Sequence, residues 1–110
     1  MPRYLACYMG TPPTSGEAPP QEVIQKGMDA WQKWMEDNAP VIVDTGGPLG
    51  KTKSIDGSGV SDTSNALTGY VILEADSHDA AAALFENHPH FAIFPGDAVE
   101  VMPVMPMPGG

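Results

Sequence analysis

Residues 3–9 are almost continuously apolar, with Tyr4, Ala6 and Tyr8 on one face and Leu5, Cys7 and Met9 on the other. Apolar side chains on both faces predict a strand covered on both sides. Gly10 to Pro20 is rich in Thr, Pro, Gly and Ser and predicts a loop. From Gln21 to Asn38 the period lengthens. Ile24, Met28, Trp31 and Met35 fall at i, i+4, i+7 and i+11 with Trp34 close to the same stripe, while Lys26, Asp29, Lys33 and Glu36 fall largely elsewhere. This spacing predicts an amphipathic helix of about five turns. Pro20 suits its first position, Glu22 complements the positive end of its dipole, and Pro40 stops it. Gly27 in its interior costs about 1 kcal/mol relative to Ala, and its small size is expected to allow a close approach to a sheet.

Val41 to Asp44 predicts a short second strand, broken by Thr45 to Gly50. Lys51 to Ile55 and Val60 to Asp62 predict a small hairpin around Asp56-Gly57-Ser58-Gly59. Ala66 to Ala75, centred on Tyr70-Val71-Ile72-Leu73, is the strongest strand. Ser77 is placed to cap a second helix, with Asp79 in its first turn, Ala80, Ala81, Leu84 and Phe85 on its apolar face, and an end before Pro89. Ala98 to Met102 is a last strand. The order is β-α-β-(hairpin)-β-α-β, an α+β ferredoxin-like pattern in a single domain over 1–104. The hairpin lies in an insertion at 46–65, and 105–110 form a Pro/Met/Gly-rich tail.

Both helices are expected on one face of an antiparallel sheet. A sheet with one wet face alternates apolar and polar residues, and the segments at 3–9 and 70–73 do not. With no third helix, the expected cover is the same face of a second copy, giving a two-fold homodimer through the sheet face.

Composition narrows the function classes. The chain has 110 residues, enough for one domain. Charged residues are 17% of it, below the roughly 25% of an ordinary soluble domain, which fits a partly covered surface. A formal charge of −9 speaks against nucleic acid and anionic membranes as partners, because phosphate binding needs clustered Lys and Arg. One cysteine, Cys7, excludes an internal disulfide framework. The N-terminal apolar stretch is too short for a signal peptide, and no run approaches the roughly 18 residues that cross a bilayer. A cytoplasmic location is the expectation.

The chain resembles the YCII-related family of dimeric α–β barrel proteins, including its DGPF-domain subgroup. The resemblance runs from Arg3 to Val104. Its carriers are Tyr4-Leu5-Ala6-Cys7-Tyr8, the helix with Trp31 and Trp34-Met35, Asp44-Thr45-Gly46-Gly47-Pro48-Leu49, Gly69-Tyr70-Val71-Ile72, Ser77-His78-Asp79-Ala80 and Val99-Glu100-Val101-Met102-Pro103-Val104. Two departures stand out. The subgroup's name motif would fall within 61–69, where only scattered residues agree. The resemblance also implies a histidine in the first helix paired with the aspartate of an Asp-Pro. Here the helix has no histidine, and His88-Pro89 stands at the expected Asp-Pro.

The most pointed candidate chemistry is His88-Pro89-His90. Two histidines at i, i+2 on an extended segment would point to one side, stiffened by Pro89. Imidazole suits acid–base work near neutral pH and metal binding. A metal would need a third ligand such as Glu86, Asp97 or Asp44, and the constellation of known zinc motifs is missing, so no metal or other cofactor is assigned. A connection whose ring nitrogens bond backbone is the structural alternative. Asp44, at the end of a strand before Gly46-Gly47-Pro48, is a candidate proton acceptor or a turn residue. Lys51 and Lys53 lie on one hairpin face and could meet an acidic ligand group, or protect a strand edge. Gly46 to Thr52 resembles a phosphate loop, but its spacing fails and no helix follows. Trp31 and Trp34 are core or pocket wall, and Tyr8 is placed to line a pocket between helix and sheet. The catalytic candidates are therefore His88, His90 and Asp44, and the ligand-binding candidates are Tyr8, Trp34, Lys51 and Lys53. The reading is a homodimer that binds a small organic molecule in a cleft between helices and sheet, with possible His/Asp acid–base chemistry. The alternative is a non-catalytic binding or protein-interaction module.

Overall fold

The computed structural model describes residues 1–10, 20–94 and 96–106. Most of the expected loop at 10–20, and the tail beyond Pro106, lie outside the described residues. Among the described residues six strands form: β1 (Arg3–Met9), β2 (Ile42–Pro48), β3 (Thr52–Asp56), β4 (Gly59–Thr63), β5 (Leu67–Glu74) and β6 (Ala98–Pro103). The helices are α1 (Gln21–Asp37), α2 (His78–Ala83) and α3 (Pro89–Ala92), with a 3-10 turn at Ala39–Val41. The main sheet has the order β2-β5-β1-β6, and β3 and β4 form a separate two-stranded ribbon. Every pairing is antiparallel. Each pair of strands joined through helices is separated by one strand from the other pair, which is the split βαβ arrangement of a ferredoxin-like domain.

The core lies between this sheet and the helices. Tyr4, Ala6 and Tyr8 of β1 and Val71 and Leu73 of β5 are buried on that side, together with Ala81 and Phe85. Trp31, Trp34, Ile42, Leu84, Val99 and Val101 complete it at the margins. Ser77 caps α2 as its residue type predicts, accepting a hydrogen bond from the Ala80 N–H at 3.0 Å. The opposite face carries Leu5, Cys7 and Met9 of β1 beside Tyr70 and Ile72 of β5, and an Arg3–Glu74 ion pair at one end. Leu5, Met9, Tyr70 and Ile72 are half-buried, and no helix among the described residues covers them.

Three local expectations need correction. The strand after α1 does not stop at Asp44 but continues to Pro48, because Gly46 adopts φ +64° and lets the backbone bulge without leaving the sheet. A Cβ at Gly46 would collide with the Tyr70 carbonyl, so no other residue fits there. The buried residue of α1 is Gly27, while Met28 is 58% exposed, so the inward stripe is turned from the predicted one. Gly27 admits a close approach, but by the Phe94 ring rather than by the sheet. Finally, His88-Pro89-His90 is not one extended segment: His88 is extended, but the chain turns helical from Pro89. Pro89 occupies the first turn of α3, where its missing N–H costs nothing.

Candidate functional site

His88 is the N-cap of α3. Its Nδ1 accepts the His90 backbone N–H at 3.0 Å. The pair converges through this cap, not through strand alternation. A ring nitrogen that accepts a backbone N–H carries no proton, so the neutral ring holds its hydrogen on Nε2. That nitrogen lies 3.5 Å from the Tyr8 hydroxyl oxygen, a long contact of the kind that shortens when a site fills. His90 Nε2 donates to the Met9 carbonyl at 2.7 Å, which sets its tautomer too, because a carbonyl only accepts. The His90 ring also packs on Gly96, where any Cβ would strike it.

His88 is 1% exposed and sits among aromatic rings. Ring centroids lie at 4.6 Å for Trp31, 4.7 Å for Trp34, 5.2 Å for Tyr8 and 5.7 Å for Phe85. This surround strips water from the imidazolium. Burial, with His90 alongside, pulls the His88 pKa down to about 4. Burial likewise pushes the Tyr8 phenol above its ordinary value. At neutral pH both groups are uncharged: His88 as an Nε2–H donor, Tyr8 as a phenol.

Tyr8 is shared between this buried cluster and a cleft of about 660 Å³, within the usual range for small-molecule sites. From α1 the cleft takes Gln25, Met28, Asp29, Trp31 and Gln32, and from the sheet Thr45, Gly47, Pro48 and Thr68, with Phe94 alongside. The Thr68 hydroxyl donates to the Tyr8 carbonyl at 2.9 Å, fixing the β1 end of the wall. Asp29 is the one carboxylate among these lining residues and accepts from the Gln25 side-chain amide at 2.9 Å.

The sequence-named residues divide into two groups. Tyr8, Trp34, His88 and His90 come together. Trp34 stands behind the site rather than in the cleft, its indole N–H donating to the Leu84 carbonyl at 2.8 Å. Trp31 takes the wall position instead. Asp44 is exposed, opposite Ile72 in the sheet register, and its carboxylate accepts the Gly46 N–H at 2.8 Å, which is the turn role. Lys51 and Lys53 line a different depression of about 460 Å³ at the ribbon's base, and Lys53 pairs with Asp62. Among the described residues no group of three or more His, Cys, Asp or Glu converges as a metal site would require. Reading the sequence for apolar stripes missed Gln25, Asp29 and Gln32. With Met28 they recur at i, i+3, i+4 and i+7, so the signal was a second helical stripe of mixed polarity.

A four-stranded antiparallel sheet with helices on one face and a small-molecule-sized cleft beneath the first helix defines a ferredoxin-like α+β domain. The chain belongs to the YCII-related domain family, which it matches over residues 5–108. Among solved structures it is similar to 5-chloro-2-hydroxyhydroquinone dehydrochlorinase (TftG) from Burkholderia phenoliruptrix AC1100 in complex with 2,5-dihydroxybenzoquinone. That similarity has 22% identity and a TM-score of 0.57, and covers 91% of this chain and 90% of that one. At this identity the likeness carries the fold. No curated protein matches the chain. No helix among the described residues is long and apolar enough to cross a membrane.

Proposed function

We propose that this protein is a cytoplasmic homodimer that binds a small organic molecule in the cleft between α1 and the sheet and polarises it for proton transfer. The observation that carries this reading is the junction of the cleft with the buried histidine cluster at Tyr8. His88 Nε2–H donates to the Tyr8 oxygen, which leaves the phenolic O–H to donate to an acceptor oxygen of the ligand. Such a relay of neutral donors, aimed where negative charge develops, stabilises an enolate- or phenolate-like species without a charged residue. Asp29 supplies the proton acceptor, the role first considered for Asp44. His88 is a positioning residue, because it acts through Tyr8. Trp31 offers an aromatic wall for a planar ligand.

Dimerisation is supported by the uncovered apolar sheet face and by the chain's thinness, 18 Å along its shortest axis. The structural neighbour's quinone complex supplies a first probe. Calorimetric titration with 2,5-dihydroxybenzoquinone and a panel of phenols and cyclic ketones should give at least one ligand whose affinity falls about tenfold in Tyr8→Phe, the worth of one hydrogen bond. Binding that is indifferent to both Tyr8→Phe and Trp31→Leu, or no binding across the panel, would remove this reading.

A further inference from the structure

The wall of the cleft between α1 and the sheet carries a negative charge and no positive one. Asp29 supplies the carboxylate, and no Lys, Arg or His stands among the described residues that line the cleft. The five basic residues of the chain are placed elsewhere. Arg3, Lys33 and Lys53 pair with Glu74, Asp37 and Asp62. Lys51 lines the separate depression at the ribbon's base. Lys26 shares α1 with Asp29 but does not line the cleft. An anionic ligand would meet a carboxylate of its own sign there and no counter-charge. The whole chain adds to this, since a formal charge of −9 draws cations and repels anions.

The rest of the wall suits a cation as well. The Gln25 side-chain amide donates to Asp29 Oδ1 at 2.9 Å, which orients the carboxylate without using Oδ2. Two residues further along α1, Trp31 stands 4.8 Å from the Tyr8 ring and 6.1 Å from the Phe94 ring, inclined to them by 55° and 56°. All three rings line the cleft. Rings inclined to one another offer π faces in more than one direction, and a cation is attracted to such faces, most strongly to Trp. An uncharged ligand would cover the carboxylate and strip part of its hydration with no ionic gain in return.

We infer that the ligand of this cleft is a planar organic cation, a ring compound that carries an oxygen for the Tyr8 hydroxyl and a protonated amine for Asp29. The inference rests on the small-molecule site proposed above and adds the charge of what fills it. A carboxylate that pairs with an N–H is also placed to accept its proton, so the role given to Asp29 there is kept. Compounds of the same outline with a carboxylate in place of the amine are rejected by charge rather than by shape.

The test is calorimetric titration of the full chain at neutral pH with three probes of one outline and different charge: para-hydroxybenzylamine, para-hydroxybenzyl alcohol and para-hydroxybenzoate. The expected order of affinity is amine, alcohol, carboxylate, with the amine about tenfold tighter than the alcohol, the worth of one solvated ion pair and one cation–π contact. Asp29→Asn should lower the amine's affinity about tenfold and bring it level with the alcohol. Circular dichroism of this variant should match wild type, because Asp29 is exposed. An alcohol bound as tightly as the amine, or a carboxylate bound more tightly than either, would overturn the inference, and if Tyr8→Phe weakens that probe the small-molecule site stands without it. An amine preference that persists in Asp29→Asn would overturn it too. Failure of all three probes would overturn it as well, and takes the site with it only if the quinone, phenols and cyclic ketones of the wider panel also fail to bind.

Discussion

Leu73 and Ile72 are neighbours on one strand and live in different environments. Leu73 points to the helices and is 1% exposed, in contact with a core that one chain completes unaided. Ile72 points the other way, beside Leu5 and Tyr70, and is only half-buried. The same contrast separates His88, packed among the rings of Tyr8, Trp31, Trp34 and Phe85, from the ribbon, whose apolar pair, Ile55 and Val60, faces solvent. A single chain therefore finishes its site before it finishes its surface. The proposed chemistry draws only on the closed side, and the proposed association draws on the open one.

Substitutions on the two faces test this division, beginning with the largest effect. Leu73→Ala should destabilise the protein by about 2–5 kcal/mol, the usual cost of a cavity in a closed core. Ile72→Ala should cost about 1 kcal/mol or less in dilute solution, where only its partial burial is lost, and should act mainly by weakening association. Chemical denaturation at two protein concentrations separates the two effects. Equal losses for both variants, independent of concentration, would erase the distinction.

Acid tests the closed side next. The His88 pKa is depressed to about 4 in the folded protein against an ordinary 6.5. The unfolded chain therefore takes up a proton over this interval that the folded chain refuses. The resulting stability is complete above pH 6.5, falls as pH drops towards 4, and amounts to at most about 3 kcal/mol. His88→Asn should flatten this slope in urea titrations run from pH 7 to pH 4, whatever it does to stability at pH 7. Smaller still, Trp34→Phe removes the indole bond to Leu84 and should cost about 1 kcal/mol. Lys53→Ala on the exposed ribbon should leave stability unchanged within error, since a solvated ion pair contributes little.

Apolar runs bounded by turn residues and the 3.6-residue period were enough to place each described strand and the long helix, though not the end of β2, because those elements are set by which side chains seek cover. The same pattern also singled out the second apolar sheet face, where Leu5, Met9 and Ile72 are half-buried. The site was only partly legible. His88 and His90 were found by residue type, but their convergence depends on a capping bond between a side chain and a backbone N–H, which leaves no periodic trace. Pro89 after a cap-competent residue was the available sign of a helix start. Trp31 and Trp34 could not be told apart, because three residues along a helix turn the side chain by 60° relative to a full circle, and one lines the cleft while the other backs it. Asp44 shows the opposite error. A carboxylate before two glycines reads equally as a reactive group or a turn, and the Gly46 N–H decides for the turn.

The most direct test of the closed site is a nitrogen-15 NMR titration of the histidine rings from pH 8 to pH 5. The neutral donor relay requires His88 to keep a protonated Nε2 and a bare Nδ1 across that whole range, with the Nε2–H resonance shifting on Tyr8→Phe. A His88 ring that gains its second proton near pH 6.5, or one that carries its neutral proton on Nδ1, would contradict it.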